Sequence, residues 1–144
     1  MSYTYKTLVR DKLVDNATVK GLFGASATGS CRVNMEFLNV SATYPQVLIG
    51  YGGGETTQNM DADEVRIFLT IETKGTGTTT PYKELGKFRS AILAVIDDTS
   101  LQSDTAVAYH FRKFSEVEAY SADKKLHWLR IGFDGKFLQN SSFA

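Results

Sequence analysis

Asp63-Glu64-Val65-Arg66-Ile67-Phe68-Leu69-Thr70-Ile71-Glu72-Thr73 is the stretch that decides the fold. Val65, Ile67, Leu69 and Ile71 recur at every second position. Glu64, Arg66, Thr70 and Glu72 fill the places between them. Side chains alternate across a strand, so this pattern predicts one apolar and one polar face. A strand of this kind needs a layer on its apolar side and neighbours along both edges.

Working outward, Pro45 to Tyr51 reads as the preceding strand, more apolar on both faces, with Pro45 at its start where a missing N–H matters least. Gly52-Gly53-Gly54 is expected to break it. Further upstream, Cys31, Val33, Met35 and Phe37 alternate with Arg32, Asn34 and Glu36 in another half-buried strand. The chain opens with Tyr5, Leu8, Val9 and Leu13 at helical spacing, and Asp15-Asn16 can end that helix and cap a short turn through Val19. Gly21, Gly24 and Gly29 then mark a loop.

Downstream, Gly75 and Gly77 close the central strand. Thr80-Pro81 places an N-cap residue before a proline at the first helical position. Leu85, Phe88, Ile92 and Ile96 carry the apolar stripe of that helix, and Asp97-Asp98 ends it. Val107, Tyr109 and Phe111 alternate in one further strand. Ala119 to Lys125 is a polar turn. Leu126 to Phe137, with Leu129, Ile131 and Phe133 on one face, is the last strand, and residues 138–144 are expected to form a flexible tail. The fold expected is α+β: a mixed, mostly antiparallel sheet of about five strands, two helices on one face, in the order α-β-β-β-α-β-β. One domain over 1–144 accommodates it.

Composition narrows the function. Sixteen basic and sixteen acidic residues cancel, so the broad basic surface typical of tight phosphate binding is absent. A lone cysteine, Cys31, cannot form an intrachain disulfide and sits on an apolar strand face, which suits a structural thiol made in a reducing compartment. The N-terminus lacks the apolar run of a signal peptide, and no stretch is long and apolar enough to span a membrane. His110 and His127 lie in strand patterns without relay or ligand partners. Gly50-Tyr51-Gly52-Gly53-Gly54 resembles a phosphate cradle only superficially, because Glu55-Thr56-Thr57 follows instead of a Lys-Ser/Thr pair and a helix. Asp97-Asp98 and Glu116/Glu118 read as solvated charges. No catalytic, cofactor or metal site is expected.

The feature left over is the connection from Gly52 to Glu64, long for a hairpin. It holds Glu55, Asp61, Asp63 and Glu64 and no basic residue, a net charge of −4 in a neutral chain. Gly52, Gly53, Gly54, Glu55, Asp61, Asp63 and Glu64 are therefore the expected partner-contact residues.

The opening helix, the turn from Asp15 to Gly24, the strand Tyr44-Pro45-Gln46-Val47-Leu48-Ile49, the strand Arg66-Ile67-Phe68-Leu69-Thr70-Ile71 and the helix after Thr80-Pro81 together resemble the tail-terminator (tail-completion) proteins of long-tailed bacteriophages and related gene-transfer particles. The likeness runs from about Tyr3 to Phe133 and lies in element order, not in an invariant motif. The polar loop and the segment after Phe137 depart from it. The resemblance implies a non-enzymatic virion protein, made in the host cytoplasm, that forms a hexameric ring at the head-proximal end of the tail tube. Such a ring ends tube growth and meets the tail tube protein and a head-connector or stopper protein, while DNA passes through without tight binding. The loop from Gly52 to Glu64 would face a neighbour or the lumen. Other readings are a head-completion, stopper or tube-like protein, or a non-viral small-ligand-binding α+β domain.

Overall fold

A computed structural model of the chain describes residues 2–23, 33–35, 45–56, 62–74, 80–97, 99–102, 106–122 and 125–139. Two helices, α1 (Ser2–Asp15) and α2 (Ala17–Phe23), precede three strands, β1 (Val33–Met35), β2 (Gln46–Thr56) and β3 (Ala62–Thr73). Helix α3 (Pro81–Ile96) follows, then β4 (Thr99–Gln102), β5 (Ala106–Ser121) and β6 (Leu126–Gln139). The described strands form one sheet in the order β1-β2-β3-β6-β5-β4. Only the β1–β2 pair is parallel. The fold is α+β, as expected, with β4 as an added strand.

The alternation of β3 works as its sequence demands. Ile67, Leu69 and Ile71 are buried, and the register sets them opposite Phe133, Ile131 and Leu129 of β6. On the other side, Ile71 and Leu69 oppose Val47 and Ile49 of β2. Residues opposite one another share a face, so these side chains make one apolar layer. Leu85, Phe88, Ile92 and Ile96 of α3 and Leu8, Val9 and Leu13 of α1 join the same core. Phe23 of α2 packs against Phe88 with ring centroids 4.7 Å apart.

Local capping matches the chemistry at two of the three helix ends marked by Asn16, Thr80 and Asp97. Asn16 separates α1 from α2, and its Oδ1 accepts the Val19 N–H at 3.1 Å, the contact an N-cap residue makes to the third helical amide. Asp97 sits at the C-cap of α3: its N–H donates to the Leu93 carbonyl, and its Oδ1 accepts the Lys113 N–H at 3.0 Å, tying the helix end to β5. Thr80 holds the N-cap position of α3 with extended backbone, but its hydroxyl makes no capping bond. Pro81 and the Thr80 carbonyl, which accepts the Glu84 N–H at 3.1 Å, start that helix instead.

Four boundaries differ from expectation. Ala119, Tyr120 and Ser121, read as the start of a polar turn, instead continue β5 opposite Trp128, His127 and Leu126. The glycines at 52–54 do not end β2. Tyr51 opposes Ile67 and Gly53 opposes Arg66, so Gly52 is an extra residue in a bulge, after which pairing continues to Thr56 opposite Asp63. Glycine tolerates the backbone of a bulge, which lets one strand absorb a residue without losing its partner. The proposed thirteen-residue loop is therefore mostly ladder: Gly52, Gly53, Gly54 and Glu55 belong to β2 and Asp63 and Glu64 to β3. At the other end of the chain, Leu138 and Gln139 continue β6 opposite Val107 and Ala106. Helix α2 runs through Gly21 to Phe23. Expectations for Gly24, Gly29, Cys31, Phe37, Asp61, Gly75, Gly77, Asp98 and residues 140–144 fall outside the described residues.

Candidate interaction surface

The residues between the core positions of β2, β3, β6 and β5 form the opposite side of the sheet, and among the described residues no core helix residue packs there. Register arranges them in rows. Arg66 faces Asp134 and donates through Nε to Oδ1 at 3.0 Å. In the next row Phe68 lies between Gly50 and Gly132, with Ser115 beyond. Then come Leu48, Thr70, Arg130 and Val117, and finally Gln46, Glu72, Trp128 and Ala119.

Three aromatic side chains collect on this face. Phe114 occupies a register irregularity in β5 between Lys113 and Ser115. Its ring meets Phe68 edge-on at 5.8 Å and lies where a side chain at position 132 would be: a Cβ on Gly132 would approach the ring to 2.8 Å. The Arg66 guanidinium sits 4.9 Å above the Phe114 ring, and that of Arg130 sits 5.5 Å from the Trp128 ring. Arg130 Nε also donates to Thr70 Oγ1 at 3.1 Å, which accounts for a buried threonine on an open face. Gln46 Nε2 donates to Glu72 Oε1 at 2.8 Å. Phe114 and Val117 remain 42% and 53% exposed, more than a core strand would leave uncovered. Arginines stacked on rings keep their outer N–H groups for a partner's carboxylates or carbonyls.

The helix-covered side has two polar clusters at its margins. Arg89 of α3 donates to Glu116 of β5 at 2.7 Å, and Lys113 Nζ donates to the same oxygen at 3.1 Å. Partial burial pushes the Glu116 carboxyl up, but the hydrogen bonds and charges of Arg89 and Lys113 outweigh that and hold it below its ordinary value. Glu116 is thus an anchor between helix and sheet, not the free surface charge its sequence context suggests. At the start of α3, Thr73 donates to buried Glu84 at 2.9 Å. His127, opposite Thr73, lies against Tyr82 and Tyr120 with centroids 5.0 and 4.6 Å away. Glu84 Oε2 and His127 Nδ1 are buried and find no hydrogen-bond partner. Among the described residues no group of three or more His, Cys, Asp or Glu could hold a metal, and no helix is long and apolar enough to cross a membrane.

Of the expected contact residues, Glu55 and Glu64 are brought directly opposite each other, and Asp63 faces Thr56. They stand at the far end of the β2–β3 hairpin, beyond the last core row of Ile67 and Phe133. Sequence reasoning overlooked the aromatic face. The signal was Phe68, the one large apolar residue on the polar side of β3, together with Trp128 beside Arg130.

No protein-family model and no curated protein matches this sequence. The fold does match solved structures. One is a chain from the structure described as "Virion of native gene transfer agent (GTA) particle", similar with a TM-score of 0.71 and 10% identity over 94% of both chains. At that identity what the two chains share is the fold.

Proposed function

We propose that the chain is a non-catalytic structural subunit of a phage-like particle, and specifically the tail terminator. In this reading six copies form a ring at the head-proximal end of the tail tube. The ring stops tube growth and offers its other side to a head-connector or stopper protein. The observation that carries the reading is the end-to-end fold likeness to a chain of a gene-transfer-agent virion, 94% of each chain at a TM-score of 0.71. An exposed sheet face bearing Phe114 and Val117 adds to it, because surfaces of this kind tend to be contact sites. So do β1 and β4, the outermost of the described strands, since sheet edges favour a partner.

The glycines Gly52, Gly53 and Gly54 and the acidic residues Glu55, Asp61, Asp63 and Glu64 of the segment between Gly52 and Glu64 face a neighbour or the lumen in this arrangement. A negatively charged collar would let DNA pass without holding it. Deleting the gene in the particle-producing strain tests the reading. The expected outcome is tails of uncontrolled length that lack heads, restored by complementation, with a six-fold ring at the tail end by electron microscopy. Tails of normal length without the protein would overturn it.

A further inference from the structure

On the open face of the sheet most charged side chains already have partners. Arg66 pairs with Asp134, and Glu72 accepts from Gln46. Arg112, opposite Asp134 in β5, has contacts of its own, as has Lys74 beyond the end of β3. Arg130 is different. It is exposed, its Nε donates to the buried Thr70 hydroxyl at 3.1 Å, and its guanidinium stands 5.5 Å from the Trp128 ring. These two contacts orient the group and leave its two terminal amino groups for another acceptor. Among the described residues no carboxylate forms an ion pair with Arg130.

Apolar surface lies around this cation. Val117 stands opposite Arg130 in β5 and is 53% exposed. Phe114, 42% exposed, leans over Gly132 in the neighbouring row. A planar guanidinium takes a carboxylate through two parallel hydrogen bonds, so a partner that fits here carries a carboxylate and apolar groups together. A nucleic-acid strand fits less well. It would bring a row of phosphates over Glu72 and Asp134, which stand on either side of Arg130 along the sheet, and Arg130 would neutralise only one of them. A second copy also fits less well. Four strands over the rows from Arg66 to Glu72 cover roughly 20 Å by 20 Å, or about 400 Å², from strand spacing and rise. That is half of the roughly 800 Å² each chain gives to a stable two-chain interface. One helix or strand fills it.

We propose that this face receives one segment of another protein, which sets an Asp or Glu carboxylate on the Arg130 amino groups and an apolar side chain against Val117 and Phe114. The contact goes beyond the ring reading and stands without it, since it names what one face binds and not what the assembly does.

Trp128 is the only tryptophan of the chain, so its fluorescence reports on this face directly. The probes are two capped peptides, acetyl-Val-Leu-Glu-Phe-Ser-amide and its Gln counterpart, titrated into the full-length chain through the millimolar range. The wild type should respond saturably and bind the Glu peptide about tenfold more tightly, with the gap narrowing at high salt. Arg130→Gln should bind both peptides equally and weakly. Val117→Ser should weaken both and keep the gap. Melting by circular dichroism identifies a variant that fails to fold. If Arg130→Gln is that variant, the wild-type preference and Val117→Ser decide. No saturable response, equal wild-type affinities, or a Val117→Ser variant that binds like the wild type would overturn the proposal. So would single-stranded oligothymidylate binding as tightly as the Glu peptide, which would make this a phosphate site. A dimer in sedimentation velocity that Arg130→Gln dissolves would assign the face to a second copy and overturn it equally. None of these outcomes touches the ring reading, which tail length in the deletion strain tests.

Discussion

The two faces of the sheet are made from the same strands but are held in different ways. On the covered face, Ile67, Leu69, Ile71, Ile131 and Phe133 have no exposed surface and are held by close packing against α1 and α3. On the open face, Arg66, Phe68, Thr70, Glu72, Trp128 and Arg130 are held by hydrogen bonds, ring contacts and stacked guanidinium groups, all but the buried Thr70 partly exposed to water. The first arrangement is cooperative and resists any change of volume. The second is a set of separable contacts, each weak and each able to move. A surface built this way can adapt to a partner, while the packed side keeps the strands in register.

Removing a core ring should produce the largest effect. Phe133→Ala deletes a buried ring that packs against Phe111 at 5.9 Å. It is expected to lower stability by about 3–5 kcal/mol, read from urea unfolding. Phe114→Ala on the open face should cost less than half as much. Equal losses would mean the open face is as tightly packed as the covered one.

Two glycines of β6 sharpen the contrast. A Cβ at Gly135 would come within 2.6 Å of the buried Phe111 ring, and one at Gly132 within 2.5 Å of Ser115 Oγ and 2.8 Å of the Phe114 ring. The clashes are similar in distance but not in consequence. Phe111 has nowhere to go, so Gly135→Ala should destabilise by about 2–3 kcal/mol. Phe114 can swing into solvent, and alanine suits a strand better than glycine by roughly 0.5–1 kcal/mol, so Gly132→Ala should be close to neutral. Thermal melts of the two variants test this. A Gly132→Ala variant as unstable as Gly135→Ala would show that Phe114 is fixed.

Smaller effects belong to the charge pairs. Glu116 has its carboxyl held below the ordinary value in the folded chain. Its contribution is therefore present above the unfolded carboxyl's pKa and is lost as pH falls through the lower folded one. The stability difference between wild type and Glu116→Gln should be constant near neutrality and vanish in that acid window. A difference that grows on acidification would reverse the assignment. Asp134→Asn removes the partner of Arg66, and with both side chains about half exposed it should cost only about 0.2–1 kcal/mol and disappear at high salt.

Much of this architecture is written in short-range pattern. The alternation of Val65, Ile67, Leu69 and Ile71, the helical stripe from Leu85 to Ile96 and the Asn16 cap are each set by residues within a turn or two. Backbone periodicity alone therefore places them. The short strand β4 carries only Leu101 as an apolar residue and has no period to detect; β5 recruits it by hydrogen bonding. The glycines at 52–54 read equally well as a break or a bulge. Pairing of β3 with β6 along its whole length supports the extended β3, and β2 then follows it past Gly52. The aromatic face was hidden for the same reason. Phe68, Phe114 and Trp128 lie on three strands, and only the order β3-β6-β5 brings them together. A side chain's face follows from its own stretch of chain, but its neighbour across a ladder depends on which strand wins that edge, a choice made by the packing of the whole sheet.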